Sequence, residues 1–378
     1  MKRVAIDCVP IQAGKGGTGS GIWTYARELV RALDQLDADE QLELYILHTP
    51  AQATVLGPFK HLHPVRCKNW GGHPLLRLCW IHMILPVWCA MRRMNALHKL
   101  ATEVPLLTSA RRVTTVHDFF HEVMTESHAQ PSSWGARYFR WITRHCFRAS
   151  RAIITGSTER REEIRARYPQ STASVHVIHH GVRPPEAHPN PPCSDGLFRV
   201  LFVAKLMPYK GQLEAVRAWK VLIERYPDAA AQMCLTLHGF ENDSAYVRQL
   251  DQAIRALGSD DAVRRQPYVA DASLDDIYAG AHALLFLSSY EGFGLPIIEA
   301  QIRGVPVIAS DLPVLREVGG DGVRYVNRDD PEAVADALAE LKNDSATRIA
   351  LIKAGQQNAT RFTWDATARQ TRSVYAEV

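Results

Sequence analysis

Short apolar runs of strand length alternate with amphipathic segments of helix length along most of the 378-residue chain. The alternation occurs in two series, and a stretch with five prolines, residues 183–196, lies between them. Proline cannot continue a helix or a central strand, so this stretch is predicted to link two domains. Alternating strands and helices favour parallel sheets with helices on both faces. The predicted strands are Arg3–Asp7, Leu42–Leu47, Arg112–Val116, Ala152–Thr155, Phe198–Ala204, Gln232–Leu237, Ala283–Leu287 and Val305–Ala309.

The two series predict an α/β chain built from two doubly wound, Rossmann-like domains. Residues 1–185 are assigned to the first domain and residues 196–361 to the second. Residues 362–378 are assigned to a final helix, because a stripe of residues recurs there at helical spacing. That stripe consists of Trp364, Ala368, Thr371, Tyr375 and Val378.

Composition favours a globular protein of a reducing compartment. Hydrophobic residues make up 46% of the chain and charged residues 22%. The seven cysteines include no CxxC pair, which argues against zinc sites and disulfides. The start, MKRVAIDCVP, has too short an apolar run for a signal peptide. The longest apolar stretch, Leu78–Met91, contains His82 and Pro86 and is short for a spanning helix, so we expect a cytoplasmic location.

Basic residues are concentrated in the first half of the chain, although the net charge is only +4. Residues 60–112 hold nine Lys or Arg against one acid, Glu103, and residues 137–167 hold nine Arg against three Glu. One interpretation is a solvated helix face, and the other is attraction to anionic lipid or phosphate, helped by Trp70, Trp80 and Trp88. No motif of a nucleic-acid-binding module is present, so nucleic acid is not an expected partner.

The N-terminal stretch GKGGTGSG, residues 14–21, contains five glycines and precedes a predicted helix. It lacks the GK[ST] ending of a P-loop. It also fits a dinucleotide fingerprint poorly, because CVPIQA separates it from the preceding strand and the expected acid is only loosely placed. Two interpretations are left: an anion-binding loop at a helix N-terminus, or a flexible surface turn.

The second half carries a second glycine loop in SSYEGFGLPIIEAQIRGVPVIASD, residues 288–311. It reads as loop, helix and strand, with Pro296 in the first helical turn. Glu291 and Glu299 are eight residues apart and are expected at the carboxyl end of the preceding strand, where open α/β sheets bind ligands. In VLFVAKLMPYKGQLEA, Lys205 and Lys210 flank the end of the first strand of this domain, where two cations would hold a diphosphate.

The pattern E-G-F-G-L-P-x-x-E, with K-G after a strand and a glycine-rich N-terminal loop, resembles the retaining glycosyltransferases of family 4. GSGIWTYARELVRAL, TTVHDFF, TGSTERREEI, VIHHGV and FTWDATARQTRSVY are similar to further segments of that family. The resemblance implies the GT-B fold, with a deep cleft between the domains and a final helix that crosses back onto the first. Residues 1–185 with 362–378 would then bind the acceptor, and residues 196–361 the nucleotide-sugar donor.

The resemblance also implies roles for individual residues. Glu291 would lie by the donor sugar, Glu299 would hold the ribose hydroxyls, and Lys205 and Lys210 would neutralise the diphosphate. His117 would line the sugar near its 6-position, and Asp118 would orient His117 or contact the acceptor. The remaining residues expected to bind the donor are Gly19, Gly21, Gly239, Val269, Gly292, Phe293, Gly294 and Leu295.

The implied activity is metal-independent hexosyl transfer, because lysines and backbone amides stabilise the leaving diphosphate and no cofactor is needed. The resemblance to polysaccharide and lipopolysaccharide mannosyltransferases favours GDP-mannose as donor, followed by UDP-glucose or another UDP-hexose. The expected acceptor is a glycan or a polyprenyl-diphosphate-linked sugar at the inner face of the cytoplasmic membrane, which the basic segments would contact.

Two functions from other classes are the alternatives. A nucleotide-sugar epimerase of GT-B architecture would require a different carboxylate and histidine set. A non-catalytic sugar-binding protein would not need the complete set of two glutamates and two lysines found here. Nucleotide release in the presence of acceptor distinguishes both from a transferase.

Overall fold

The structure is a computed structural model in which the chain divides into two units. It describes residues 1–11, 19–37, 41–119, 134–185, 196–241, 243–258, 262–266 and 274–378. One unit comprises Met1–Gly181 with Thr363–Val378, and the other comprises Val182–Phe362. Each unit is built on one parallel sheet.

The first unit contains a seven-stranded sheet in the order β3-β2-β1-β4-β5-β6-β7. Its strands are β1 (Lys2–Asp7), β2 (Leu42–His48), β3 (His63–Arg66), β4 (Ala96–Lys99), β5 (Arg111–Val116), β6 (Ser150–Thr155) and β7 (Ser174–Val177). Its longer helices are α1 (Gly19–Gln35), α2 (Pro50–Leu56), α3 (Pro74–Cys79), α4 (Leu85–Met91), α5 (Trp134–Ala149) and α6 (Thr158–Arg167). All strand pairs are parallel.

The second unit contains a six-stranded parallel sheet in the order β10-β9-β8-β11-β12-β13. Its strands are β8 (Phe198–Val203), β9 (Met233–His238), β10 (Val263–Gln266), β11 (Ala283–Phe286), β12 (Val307–Ser310) and β13 (Val323–Val326). Its helices are α7 (Gln212–Arg225), α8 (Pro227–Ala230), α9 (Ser244–Arg255), α10 (Leu274–Ala279), α11 (Leu295–Ile302), α12 (Pro313–Gly319), α13 (Pro331–Asn343) and α14 (Ser345–Ala359).

The final helix, α15 (Trp364–Glu377), belongs to the first unit. The side chain of Thr363 caps it by accepting from the amide of Ala366 at 3.2 Å. Its buried face, which includes Val374 and Tyr375, joins the core cluster that contains Leu29 of α1. The predicted final helix on the first domain is therefore confirmed.

An apolar helical segment, Pro74–Met91, consists of α3, a π-helical stretch (Trp80–Ile84) and α4. One side of it is buried in a core cluster through Trp80, Ile81, Leu85 and Cys89. By length and composition alone the segment would be able to cross a membrane, a property that core helices of globular proteins share. Of its residues 22% are buried, and large apolar side chains such as Leu75, Met83, Val87 and Met91 are exposed.

The sequence predictions of fold class and of all eight strands are confirmed, with strand bounds within two residues. Within the residues that the structure describes, five strands were missed: His63–Arg66, Ala96–Lys99, Ser174–Val177, Val263–Gln266 and Val323–Val326. Two members of the basic, Trp-containing segment lie inside the fold. Lys99 forms a buried ion pair with Asp7, and the indole of Trp80 donates to the same carboxylate at 3.2 Å.

Candidate active site

In the second sheet, the order in which the chain adds strands reverses between β8 and β11. From β8 the chain proceeds outward through β9 and β10, whereas from β11 it proceeds through β12 and β13 to the opposite edge. The loops that follow β8 (residues 204–211, the β8 loop) and β11 (residues 287–294, the β11 loop) therefore lie at the topological switch point. Ligands of open parallel sheets bind outside the carboxyl ends of the strands at such a point.

Backbone contacts fix the two loops against each other. A Cβ added to Gly211 would lie 2.2 Å from the carbonyl oxygen of Leu287, so only glycine fits there. The amide of Ser289 donates to the carbonyl of Tyr209 at 2.8 Å, and the guanidinium of Arg328 donates to the same carbonyl at 3.2 Å. The side chains carried by the loops consequently project from a defined backbone.

A lysine and a glutamate from the two loops form an ion pair. Nζ of Lys210 donates to Oε1 of Glu291 at 2.6 Å, and the side chains are only 14% and 12% exposed. The hydroxyl of Ser288 donates to the same oxygen at 2.7 Å. Nζ of Lys210 also lies 4.8 Å from the ring centroid of Tyr209. The carboxylate and the ammonium group are thus held in one orientation at the switch point.

Helix α11 begins directly after the β11 loop. Its N-cap is Gly294, with φ of 102°, and no side chain caps the first turn. A helix N-terminus of this kind presents backbone N–H groups and a positive dipole end. The side chain of Phe293 is buried in a cluster with Ile298 and Phe362. Any contact of Phe293 with the nucleotide sugar would therefore be made by its backbone.

Glu299 lies within α11 and is partly buried. Its Oε2 accepts a hydrogen bond from the hydroxyl of Tyr278 at 3.0 Å. Burial raises the pKa of Glu299, and the nearby Arg303 and the Tyr278 hydrogen bond oppose that shift. Burial and the neighbouring carboxylate also raise the pKa of Tyr278 well above its ordinary value, so the phenol stays a donor.

Two of the other residues predicted to bind the nucleotide-sugar donor, Lys205 and Gly239, lie in the described part of the chain. The carbonyl of Lys205 accepts from the side-chain amide of Gln212 at 2.8 Å, which fixes the backbone of the β8 loop. A Cβ on Gly239 would lie 1.8 Å from the carbonyl oxygen of Ala204, so packing alone explains this glycine. Val269 lies outside the described residues.

In the first unit, His117 and Asp118 follow β5. Nε2 of His117 lies 3.1 Å from the carbonyl of Leu100, so Nε2 carries the proton and Nδ1 is the acceptor. The rings of Tyr25 and His180 lie 4.9 Å and 5.7 Å from the imidazole of His117. Burial lowers the pKa of His117, which favours the neutral ring, and Asp118 and Leu100 oppose this shift. The side chain of Asp118 is exposed.

The N-terminal glycine stretch is only partly within the described residues. Helix α1 begins at Gly19. Gly21 is exposed, and a Cβ added to it would meet no atom within 4 Å. Packing around Gly21 therefore does not require a glycine. Residues 12–18 lie outside the described residues.

Sequence reasoning missed several residues at this site. Ser288, Tyr209 and Arg328 hold the two loops, and Tyr278 contacts Glu299 from a different helix. The serine was visible as part of SSYEGFG, but the other contacts depend on the three-dimensional arrangement. In the described part of the chain, no group of three or more His, Cys, Asp or Glu side chains is arranged to hold a metal ion.

The sequence models of two protein families match the chain, one over each half. The model described as Glycosyltransferase Family 4 matches residues 19–185. The model described as Glycosyl transferases group 1 matches residues 184–358. The chain belongs to glycosyltransferase family 4. The predicted family membership is therefore confirmed.

Curated relatives of this family 4 chain include two enzymes named D-inositol 3-phosphate glycosyltransferase. The one from Corynebacterium urealyticum is 34% identical over 178 residues, which are 46% of this chain and 42% of the relative. The one from Streptomyces avermitilis is 30% identical over 241 residues, which are 60% of this chain and 52% of the relative. The chain thus spans about half the length of the curated relatives it matches.

Solved structures share the fold over the whole chain. Sucrose-phosphate synthase from Thermosynechococcus elongatus has a TM-score of 0.76 at 18% identity and covers 100% of this chain and 99% of its own. HepE from Anabaena, solved with UDP and glucose, has a TM-score of 0.71 at 18% identity and covers 100% of both chains. WaaG, a glycosyltransferase involved in lipopolysaccharide biosynthesis, has a TM-score of 0.72 at 12% identity, covering 98% of this chain and 99% of its own. The predicted GT-B fold class is confirmed.

Proposed function

We propose that this family 4 chain is a retaining hexosyltransferase, which moves a hexose from a nucleotide sugar to a glycan or a lipid-linked acceptor. The observation that carries the proposal is the Lys210–Glu291 ion pair at the switch point between β8 and β11. The glutamate of this pair directly precedes the glycine-containing residues 292–294, which lead into α11. A cation, a carboxylate and a helix N-terminus at this point suit a sugar diphosphate.

In the proposed reaction, the bond between the anomeric carbon and the diphosphate oxygen breaks, and the oxygen of an acceptor hydroxyl forms a new bond to that carbon. The proton of that hydroxyl passes to the leaving diphosphate or to solvent. Negative charge grows on the leaving nucleoside diphosphate. Lys205, Lys210 and the amides of residues 292–295 stabilise that charge more in the transition state than in the ground state. Same-face attack and a covalent intermediate are both compatible with this role.

The two glutamates have separate roles in this proposal. Glu291 lies by the reacting sugar and orients Lys210, with which it is paired. Glu299 accepts hydrogen bonds from the ribose hydroxyls. Nδ1 of His117 accepts a hydrogen bond from a hydroxyl of the transferred sugar. Asp118 orients His117 or contacts the acceptor substrate. Gly19 and Gly21 offer backbone amides at the start of α1 to the diphosphate.

The donor and acceptor are proposed by class. GDP-mannose is the first donor to test, from the resemblance to mannosyltransferases of cell-surface polysaccharide synthesis. UDP-hexoses come next, and the complexes of HepE with UDP and glucose support including them. The name shared by the curated relatives adds D-inositol 3-phosphate to the acceptors that a screen should contain. Because two lysines and backbone amides stabilise the leaving group, no metal ion or other cofactor is required in this proposal.

The proposed place of work is the cytoplasmic face of a membrane, where a polyprenyl-diphosphate-linked acceptor would be presented. The outward side of Pro74–Met91 exposes Leu75, Met83, Val87 and Met91, the last by 79%. Arg92 and Arg93, which follow it, are also exposed. Large apolar side chains beside cations suit an anionic lipid surface.

The experiment that tests the activity measures nucleotide release from GDP-mannose and from UDP-hexoses, with and without acceptors. Acceptor-dependent release with formation of a glycoside of retained anomeric configuration supports the proposal. Epimerised nucleotide sugar without release indicates the epimerase alternative. Tight nucleotide binding without turnover indicates a non-catalytic binding protein.

A further inference from the structure

Three side chains form a polar frame beside Glu299: Tyr278 and Asp275 of α10, and Arg303. The hydroxyl of Tyr278 donates to Oε2 of Glu299 at 3.0 Å. The side chain of Arg303, directly after α11, donates to the backbone carbonyl of Glu299 at 2.9 Å. The same guanidinium forms an ion pair with Asp275 of α10, with Nε–Oδ1 at 2.8 Å. Its Cζ lies 5.3 Å from the centre of the Tyr278 ring.

This frame fixes the glutamate more tightly than a helix alone would. Tyr278 is fully buried, so its hydroxyl must have a hydrogen-bond partner inside the fold. That partner is the Glu299 carboxylate rather than a backbone carbonyl, which limits rotation of the carboxylate. Arg303 meanwhile fixes the backbone of the same residue relative to α10. A carboxylate held in one plane presents its acceptor oxygens at a fixed spacing, which recognition of two adjacent hydroxyls requires.

We propose that Tyr278, supported by Arg303 and Asp275, positions Glu299 for the ribose diol and so sets the preference of the site for ribonucleotides. The inference rests on the proposed function, which gives Glu299 its role. Tyr278 does not contact the nucleotide in this proposal; it acts through the carboxylate. Its effect is therefore confined to ligands that carry the ribose hydroxyls.

The test uses the full chain and two pairs of probes, UDP with 2′,3′-dideoxy-UDP and GDP with 2′,3′-dideoxy-GDP. Calorimetric titration measures the dissociation constant of each. For Tyr278→Phe we expect about tenfold weaker binding of the preferred ribonucleotide and no change for its dideoxy form. The turnover number at saturating donor should stay within about twofold, because the reacting groups are untouched.

A matched control is Tyr325→Phe in the same unit. The hydroxyl of Tyr325 donates to two backbone carbonyls, those of Leu315 and Gly320, both at 3.0 Å. Loss of this hydroxyl should reduce thermal stability without changing the ratio of ribonucleotide to dideoxynucleotide affinity. Equal weakening of both nucleotides in Tyr278→Phe would mean a merely structural tyrosine and would overturn the inference.

The pH dependence of binding gives a second readout. The charged groups around Glu299 are Arg303, Asp275 and Arg183, and Tyr278→Phe leaves all three in place. The Tyr278 hydrogen bond opposes the burial that raises the pKa of Glu299. Without it, ribonucleotide affinity should be lost at a higher pH as the solution is acidified, whereas Tyr325→Phe should follow the wild type.

Two further variants separate the failure of this inference from the failure of the proposed function. Glu299→Gln should abolish the preference for the ribonucleotide; if it does not, the ribose role of Glu299 is wrong and this inference fails with it, whereas the proposed transferase activity fails only if acceptor-dependent nucleotide release is absent. If Glu299→Gln abolishes the preference but Tyr278→Phe keeps it, only the positioning role is overturned. Asp275→Asn should weaken the preference in the same direction, and it replaces Tyr278→Phe should that variant not fold.

Discussion

Lys210 and Glu291 follow different strands, yet Nζ of the lysine lies 2.6 Å from Oε1 of the glutamate. The two side chains are largely buried, at 14% and 12% exposure. Removing one member therefore leaves the other as a poorly hydrated charge without its partner. The pair should therefore behave as one functional group. The separate roles proposed for Lys210 at the diphosphate and for Glu291 at the sugar would not by themselves require this coupling.

The first prediction is a non-additive effect of substitutions in this pair. Lys210→Ala and Glu291→Gln should each lower the turnover number by roughly a hundredfold, because each disturbs the charge balance at the leaving group. The double variant should lose much less than the product of the two losses. Steady-state kinetics at saturating donor measure this, and multiplicative losses would contradict the coupling.

The second prediction concerns metal independence. Lys205→Ala should also reduce turnover by roughly a hundredfold with the fold intact, since the two lysines supply the charge that a metal ion supplies elsewhere. EDTA should leave the activity of the wild type unchanged. Strict dependence on added Mg²⁺ or Mn²⁺ would refute this assignment, and circular dichroism of the variant checks that its fold is retained.

The third prediction is that Glu299→Gln stabilises the nucleotide-free protein. Burial raises the pKa of Glu299, so between its ordinary and its raised pKa the folded protein binds more protons than the unfolded chain. The free energy of unfolding consequently falls as the pH rises through that window, because the buried carboxyl group becomes charged. A glutamine at this position does not ionise and therefore avoids that loss of stability. The melting temperature should be higher than that of the wild type above the window, and the difference should fade in acid.

The control for this prediction is Glu224→Gln, which removes a carboxylate that is 60% exposed. Its melting temperature should match the wild type across the same pH range. A Glu299→Gln variant that is less stable at neutral pH would show that the Tyr278 and Arg303 contacts outweigh the cost of burying the charge.

Sequence reasoning placed the β8 and β11 loops at the ends of strands because the signals for strand ends are local. The β8 and β11 strands are continuous apolar runs, and the glycines and prolines of the following loops mark where each strand ends. Contacts between residues that only the fold brings together have no such signal in the sequence. Tyr278 and Glu299 lie 21 residues apart on different helices, and no pattern in the sequence connects them.

Strand β4, Ala96–Lys99, shows a second limit. Its four residues are all buried, although His98 and Lys99 make it read as part of a basic, solvated segment. The partners that allow this burial are distant in sequence: Asp7 in β1 for the lysine, and Tyr375 near the C-terminus for the histidine, at 2.6 Å. Polar side chains in a central strand are predictable only once such partners are known.

The fourth prediction concerns His98 and acid stability. Burial lowers the pKa of His98 to about 3. Below about pH 6.5 the unfolded chain is protonated at this residue and the folded protein is not, so stability is lost as the pH falls, by about 1.4 kcal/mol per pH unit. Burial also lowers the pKa of His117 and His180, which act in the same direction.

Urea unfolding between about pH 7 and pH 5 tests this acid dependence. His98→Gln should be less stable at neutral pH, because the hydrogen bonds to Tyr375 and Thr115 are disturbed. Its stability should, however, decline less steeply with acid than that of the wild type. His63→Gln, at an exposed position of β3, is the control and should keep the wild-type slope. Identical slopes in all three proteins would contradict the assignment.

The last prediction concerns attachment to membranes through the first unit. Met83 and Met91 are 64% and 79% exposed on the Pro74–Met91 segment, and Trp141 of α5 is 51% exposed. The two elements are connected by a 2.7 Å hydrogen bond between His82 and Tyr138.

Each Lys or Arg near an anionic surface contributes about 1 kcal/mol, so several cations beside this apolar surface support reversible attachment that salt weakens. Sedimentation with liposomes of increasing anionic lipid content measures it. The double variant Arg92→Glu with Arg93→Glu should bind at least about tenfold more weakly. Arg217→Glu with Lys220→Glu, which reverses two exposed charges of the second unit, should bind like the wild type. Absence of binding at low salt, or equal binding by both double variants, would exclude this surface as the membrane contact.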